Sequence, residues 1–332
     1  MDTTTHALAG YVIAKTGIAR DTGKWGTIAG VSAAVFPDID LLLGFLGTEF
    51  SLKYHRNLTN SVFLAVPFSL FFAWVFVRIS KIRRFWTFFV IWIVEILAHT
   101  FMDLMTSYGT MILSPLSDQR FALDWLFIVD LFLVASLLLP MIALHLWKRR
   151  ERTLARLAVV LAGLYIAFCA FNHGWALSLA HDHVQKQGLV LTDVASIPQP
   201  LSPFRWANYI QTKERIYQGF VNLIGGQERD TNPGDNFWHR FLARYQPISR
   251  LQYSVWEKRD DSPWVEQALR LDGVKTFYWF ARFPVARYRG GENGIHRVEF
   301  FDLRFGAISN IRPFLYVVDF GENGQVSFQG FL

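Results

Sequence analysis

Nine residues among the first 110 have the types and spacing of a metal centre: Asp2, His6, Asp38, Asp40, His55, Arg56, Glu95, His99 and Asp103. Asp2 and His6 stand four apart, as do His99 and Asp103, so on a helix each pair points two potential ligands along one face. Glu95 extends the second stripe by one more turn. Asp38 and Asp40 flank Ile39 directly after the helix-breaking Pro37, which suits a carboxylate pair at a helix end. Imidazole and carboxylate without thiolate fit zinc, manganese or iron(II) better than a structural zinc site, which favours cysteine.

Each of these residues also has an ordinary use. Asp2 is a natural N-cap for a helix starting at Thr3. Asp38 and Asp40 can simply end a helix, His55 and Arg56 can face lipid head groups, and Glu95 can be a structural acid inside a bundle. His99 with Asp103 is the strongest pair. It is the coincidence of the whole set, more than any member, that points to a site. Two other polar clusters carry less: Asn172-His173 reads as interhelical hydrogen bonding, and His181-Asp182-His183 as a solvated helix exit.

The elements that must position these residues are apolar. The stripe of Glu95, His99 and Asp103 lies on a helix predicted from Phe85 to about Met105. Ionisable groups in such a setting are costly unless paired, hydrated or bound to metal. Residues 7–19 and 25–36 form two shorter apolar runs, the second rich in Gly and Ala for close packing. Residues 62–77 and 125–147 follow, and residues 157–180 contain no Lys, Arg, Asp or Glu, the clearest transmembrane signal. The expectation is an α-helical multi-pass membrane bundle of five or six segments. The composition agrees: 52% hydrophobic residues with a mean hydropathy of only +0.22 implies a membrane part joined to a water-soluble part.

Basic residues cluster between the apolar runs, at 20–24, 81–84 and 148–156, as topology determinants do. That pattern, with a net charge of only +6, does not suit nucleic-acid binding. If all three turns face the cytoplasm, the N-terminus and everything after Ala180 lie outside. The same assignment collects Asp2, His6, Asp38, Asp40, His55, His99 and Asp103 at the outer helix ends, although only Lys and Arg were used to make it. After residue 185 the pattern changes. A Pro-rich linker at 198–203 and short-period alternation, as in 277–283 and 298–305, predict a mostly β extramembrane domain over 186–332. Residues 314–328 carry a hairpin signature around Gly321-Glu322-Asn323-Gly324. Helices are predicted at 236–245 and 264–271. The single cysteine, Cys169, sits in an apolar run.

Four motifs together resemble a known family: Asp2-x-x-x-His6, Phe36-Pro37-Asp38-Ile39-Asp40, His55-Arg56-x-x-Thr59-x-Ser61, and His99-x-x-x-Asp103-x-x-Thr106-x-x-Gly109 followed by Pro115. In this order, over about residues 1–120, they are similar to the YdjM-like family. Those proteins are described as LexA-binding, inner-membrane-associated, metal-dependent hydrolases. The resemblance implies a divalent-metal hydrolase in a bacterial cytoplasmic membrane. On it, His6, Asp38, His55, His99 and Asp103 would hold the metal, zinc first, with manganese or iron as alternatives. Asp2 and Asp40 would orient water or add ligands, and Arg56 would stabilise phosphoryl charge. One position departs from the pattern: Asn60 stands where the family usually has a second histidine. A looser likeness of the His-x-x-x-Asp spacing to zinc-dependent phospholipases C and nucleases ranks phosphoesters first. The outer-leaflet position favours membrane lipids or a lipid-linked substrate over nucleic acid. The alternative is a non-catalytic membrane scaffold with a vestigial metal site, whose β domain binds a partner protein. A transporter fits less well, because the ionisable residues gather at one face and not at the midplane.

Overall fold

A computed structural model of the chain describes residues 1–146, 150–225, 234–292, 294–306 and 313–332. Trp147 and the Lys148-Arg149 part of the third basic turn fall outside these. The described chain divides into two compact units, Met1–Phe45 with Tyr54–Phe171, and Leu46–Lys53 with Asn172–Leu332.

The first unit is helical. α1 (Thr3–Ile13) runs through a π turn at Ala14–Ile18 and a tight turn into α2 (Lys24–Val35). Pro37 cannot supply an amide hydrogen to the α-helical ladder, and the chain continues as a 3-10 segment, Phe36–Leu46. A short helix α3 (Thr48–Tyr54), which opens in the second unit, leads to α4 (Val62–Ser80). Ser61 caps α4 by accepting from the amides of Phe63 and Leu64, and Lys81, in the left-handed region, ends it. α5 (Phe85–Leu104), α6 (Leu131–Leu146) and α7 (Glu151–Gln187) follow. One apolar cluster joins α2, α4 and α5 around Ala29, Ala65, Phe76, Phe88 and Trp92; a second joins α1, α6 and α7 around Val12, Leu133, Leu137 and Ala158.

Four helical segments are long and apolar enough to cross a membrane: Lys24–Leu46, Val62–Ser80, Phe85–Leu104 and Glu151–Gln187. The expected five or six segments therefore reduce to four among the described residues. α1 has 11 residues, about 16 Å of helix against a hydrocarbon core of about 30 Å. α6 is likewise shorter than a span over the described residues, and Asp130 caps its start by accepting from the amides of Phe132 and Leu133.

The second unit carries the β-structure. One sheet has β1 (Asp193–Pro198), β2 (Arg205–Gln211), β3 (Arg215–Asn222) and the two-residue β4 (Gln246–Pro247) in that order, with β5 (Ser254–Glu257) antiparallel to β3. The other is an antiparallel meander of β6 (Pro284–Glu292), β7 (Ile295–Asp302), β8 (Tyr316–Gly321) and β9 (Val326–Phe331). A buried cluster that includes Ile197, Tyr209, Phe283 and Phe301 draws on both sheets. The hairpin at 314–328 is present as β8 and β9. Helices α8 (Phe237–Ala243) and α9 (Pro263–Ala268) fall where the sequence predicts them. One expectation is corrected: the aromatic run at 277–283 is not a strand at its start but the end of a helix, α10 (Asp272–Phe280). Val274, Phe277 and Phe280 are its buried residues. That spacing of three is helical, and it outweighs the alternation read over the shorter run.

Candidate metal centre

The site is assembled at one end of α1, α2 and α5. Asp2 caps α1, accepting from the Thr5 amide (3.0 Å) and hydroxyl (2.5 Å). His6 follows one turn later and is buried. α1 reaches α2 through residues without bulk. A Cβ at Gly10 would strike the Ala34 side chain and come within 2.8 Å of the Gly30 carbonyl. This close approach lets the Thr3 hydroxyl donate to Asp38 at 2.5 Å. α5 supplies His99 and Asp103 from successive turns, both buried.

His6, Asp38, His99 and Asp103 converge, with one ligand atom from each lying within 4.8 Å of all the others. Two ligands about 2.1 Å from one ion stand about 3.4 Å apart at the tetrahedral angle. The group is thus wider than a filled tetrahedral site and would draw in around an ion. The two imidazoles stack, with ring centroids 3.6 Å apart and planes 19° from parallel.

The tautomer of His99 carries the electrostatic argument. Its Nδ1 lies 2.6 Å from the Ala34 carbonyl, which can only accept, so Nδ1 bears the proton. In a neutral ring Nε2 then presents a lone pair. That lone pair faces carboxylate oxygens of Asp103 at 3.4 Å and Asp38 at 3.6 Å. Neither contact is a hydrogen bond, and Nε2 of His99 and Oδ2 of Asp103 are both buried without one. Three electron-rich atoms facing each other in a buried place call for a cation between them. A backbone carbonyl fixing the far nitrogen of a ligating histidine is also what metal sites use. The four side chains therefore fit a divalent metal ion.

Asp103 has further partners. Arg56 places Nη2 2.9 Å from Oδ1 of Asp103, and its Nη1 donates to the Asp103 carbonyl (3.2 Å) and to Thr106 (2.8 Å). His6 Nε2 lies 3.1 Å from the same Oδ1, which the Met1 amino group also contacts. Arg56 is itself buried and holds a left-handed backbone conformation, φ 61°. Such a conformation persists in a non-glycine residue only where the surroundings enforce it. Here the Arg56 amide donates to Asp40 (2.8 Å) and its carbonyl accepts from the Met111 amide (2.9 Å).

The remaining candidates have other positions. Asp40 holds the loop that follows α3: His55 Nδ1 is 2.7 Å from its Oδ1, and the Thr59 hydroxyl donates to its Oδ2 at 2.9 Å. His55 is thus one member of an Asp–His pair and is not among the four converging residues. Asp2 is likewise outside them, as the cap of α1. Glu95 lies one turn deeper on α5, where neither carboxylate oxygen makes a hydrogen bond; a Cβ on Gly30 would sit 3.4 Å from its Oε1. Asn60 is wholly buried, and neither its amide nitrogen nor its oxygen makes a hydrogen bond. Sequence reasoning missed Thr3 and the Ala34 carbonyl. Thr3 is one of three consecutive threonines with nothing to single it out, and a backbone carbonyl has no sequence signature.

A family model described as YdjM inner membrane protein matches residues 1–176, which contain the whole of this site. The uncharacterized protein YfhP of Bacillus subtilis (strain 168) is 28% identical over 310 residues, covering 83% of this chain and 89% of that protein. No solved structure matches.

Proposed function

The chain belongs to the YdjM family of inner membrane proteins, and on that footing we propose that it is a divalent-metal-dependent hydrolase of phosphoesters at the cytoplasmic membrane. The observation that carries the reading is the His99 lone pair facing Asp38 and Asp103, with His6 stacked beside it. His6, Asp38, His99 and Asp103 hold the metal, zinc by its liking for imidazole with carboxylate, with manganese or iron as alternatives. Bound there, a divalent ion acidifies water and polarises a phosphoryl oxygen.

The chain's own residues do the rest. Arg56 holds Asp103 in place and offers positive charge where phosphoryl charge develops. The Asp40–His55 pair orients an imidazole whose second nitrogen can take up or deliver a proton, the logic of a base steadied by a carboxylate. On this reading His55 serves proton transfer and is not a ligand, and Asp40 and Asp2 are positioning residues; the hydrogen bond from His55 to Asp40 supports it. With the three basic turns facing the cytoplasm, the helical part is multi-pass and the site and the β-rich unit lie on the outer face. The site then meets lipid head groups directly. That favours an amphiphilic, lipid-linked phosphoester over nucleic acid.

A second reading is a non-catalytic scaffold with a vestigial site and a partner-binding β unit. Asn60, in place of the family's usual histidine, favours it. Two measurements separate the readings. Purified protein should contain metal that the double substitution His99→Ala with Asp103→Ala removes; unchanged metal content sinks the ligand assignment. Metal-dependent phosphate release from a panel of phospholipids and polyprenyl phosphates supports the enzyme. Retained metal with no turnover across the panel supports the scaffold.

A further inference from the structure

Beside Arg56 and His55 stand two side chains that the reading above does not use, Tyr108 and Arg120. The ring of Tyr108 has the Arg56 guanidinium 5.0 Å from its centroid, the Arg120 guanidinium at 5.3 Å, and the His55 imidazole edge-on at 5.3 Å. Arg56 is the residue bonded to Asp103, so Tyr108 is one side chain removed from the metal ligands. Exposure changes along this line. Asp38, Arg56, His99 and Asp103 are buried, whereas His55, Tyr108 and Arg120 each keep part of their surface open. The three form a lip between solvent and the buried group.

The lip is built, not incidental. Thr110 and Phe121 form an antiparallel bridge, with amide-to-carbonyl distances of 2.9 and 3.0 Å, which returns the loop so that Arg120 comes back beside Tyr108. Arg120 donates from Nη1 to the Gly109 carbonyl at 3.1 Å. Gly109 has φ 92°, and a Cβ there would lie 3.0 Å from the Arg120 Cβ and 3.5 Å from its Cδ. Glycine is thus needed both for the backbone turn and for the Arg120 stem to lie across it. An arginine whose stem is clasped in this way loses little freedom on binding. Its planar fork matches phosphoryl oxygens in pairs.

We propose that Arg120, with Tyr108, receives the phosphoryl head of the substrate at the mouth of the site and passes it to Arg56 and the metal. The inference rests on the metal-hydrolase reading for the identity of the substrate, but the binding it asserts is separately measurable. The chemistry recognised is a phosphate group. A lipid head group and a free phosphate are two sources of it.

The test is calorimetric titration of the full-length, metal-loaded protein in detergent with inorganic phosphate and, separately, with short-chain phosphatidic acid. Arg120→Gln should weaken binding at least tenfold while metal content stays that of the wild type, and Arg120→Lys should fall between. Loss for both probes assigns the phosphate group itself; loss for phosphatidic acid alone assigns a lipid source. Affinities unchanged within twofold overturn the proposal and leave the metal reading standing. A wild-type protein that keeps its metal but binds neither probe also overturns it. If Arg120→Gln does not fold, Arg120→Lys decides, since losing the paired fork should still weaken binding severalfold. Metal content below stoichiometry in the wild type counts against the metal reading. A loss of phosphate affinity in Arg120→Gln would support the lip even then.

Discussion

The imidazoles of His6 and His99 lie face to face, 3.6 Å between centroids, although one comes from the first helical turn of the chain and the other from the C-terminal part of α5. Stacked rings from two helices can turn one nitrogen each toward a common point. Replacing either by alanine should therefore lower metal affinity by more than about 100-fold, beyond the usual effect of losing an outer partner. Glu95→Gln, one turn below, should leave metal content unchanged. Metal analysis after dialysis against a graded chelator measures all three.

Acid should strip the site. Protons compete with the metal for imidazole and carboxylate ligands, so affinity falls as pH falls. Burial pushes the His6 imidazole down to about 4, so its part of the loss comes near that pH and not around neutrality. Metal content followed by competition from neutral pH down through pH 4 checks this, and a profile that stays flat through that point would mean that His6 is not a ligand.

Arg56 neutralises Asp103 in a buried setting. Arg56→Gln removes the guanidinium from that carboxylate and leaves the Met1 amino group beside it; breaking a buried pair typically costs about 3–5 kcal/mol. The loss should be largest in metal-free protein and smaller when a divalent ion supplies the missing charge. Thermal unfolding in detergent with and without metal should therefore show a greater metal-dependent stabilisation in the variant than in the wild type.

The seam between α1 and α2 sets where His6 and Asp38 meet. Gly10→Val places bulk where even a Cβ meets the Gly30 carbonyl at 2.8 Å, and it should abolish metal binding. Gly163→Ala and Gly174→Ala, on α7 with nothing within 4 Å of the added Cβ, should leave metal binding intact and gain about 0.5–1 kcal/mol from helix propensity. Parallel metal analysis and thermal melting compare these variants.

How much of this was legible depended on whether the contact was local. His99 and Asp103 share a helix face, so their spacing of four is enough to pair them. His6 and Asp38 were drawn to them by the positive-inside argument, which gathered the candidates at one face without saying which would touch, and by the family resemblance, which grouped them with His55 as ligands. Neither could tell that His55 lies on Asp40, because Asp40 sits in the 3-10 segment and His55 in the loop after α3, and their meeting depends on tertiary folding. Arg120 left one faint trace: it is the one Lys or Arg in the sequence between Arg84 and Lys148. The strand-like reading of 277–283 failed because a run this aromatic satisfies both periods until Val274 is counted with it.

Asn60 joins stability to function with opposite signs. Its side chain is fully buried and its amide makes no hydrogen bond. An unsatisfied buried polar group costs about 1–3 kcal/mol, so an apolar residue of similar size should relieve that cost. Asn60→Leu is therefore expected to melt at a higher temperature than the wild type. The Asn60 backbone carbonyl accepts from the Thr100 hydroxyl (3.4 Å), next to His99 on α5; if the side-chain amide serves a water or substrate group there, the same change should lower metal-dependent phosphate release at least tenfold. A higher melting temperature with unchanged turnover would make Asn60 a packing defect and nothing more. A lower melting temperature would mean that the amide already has a partner, and the argument from its isolation would fall.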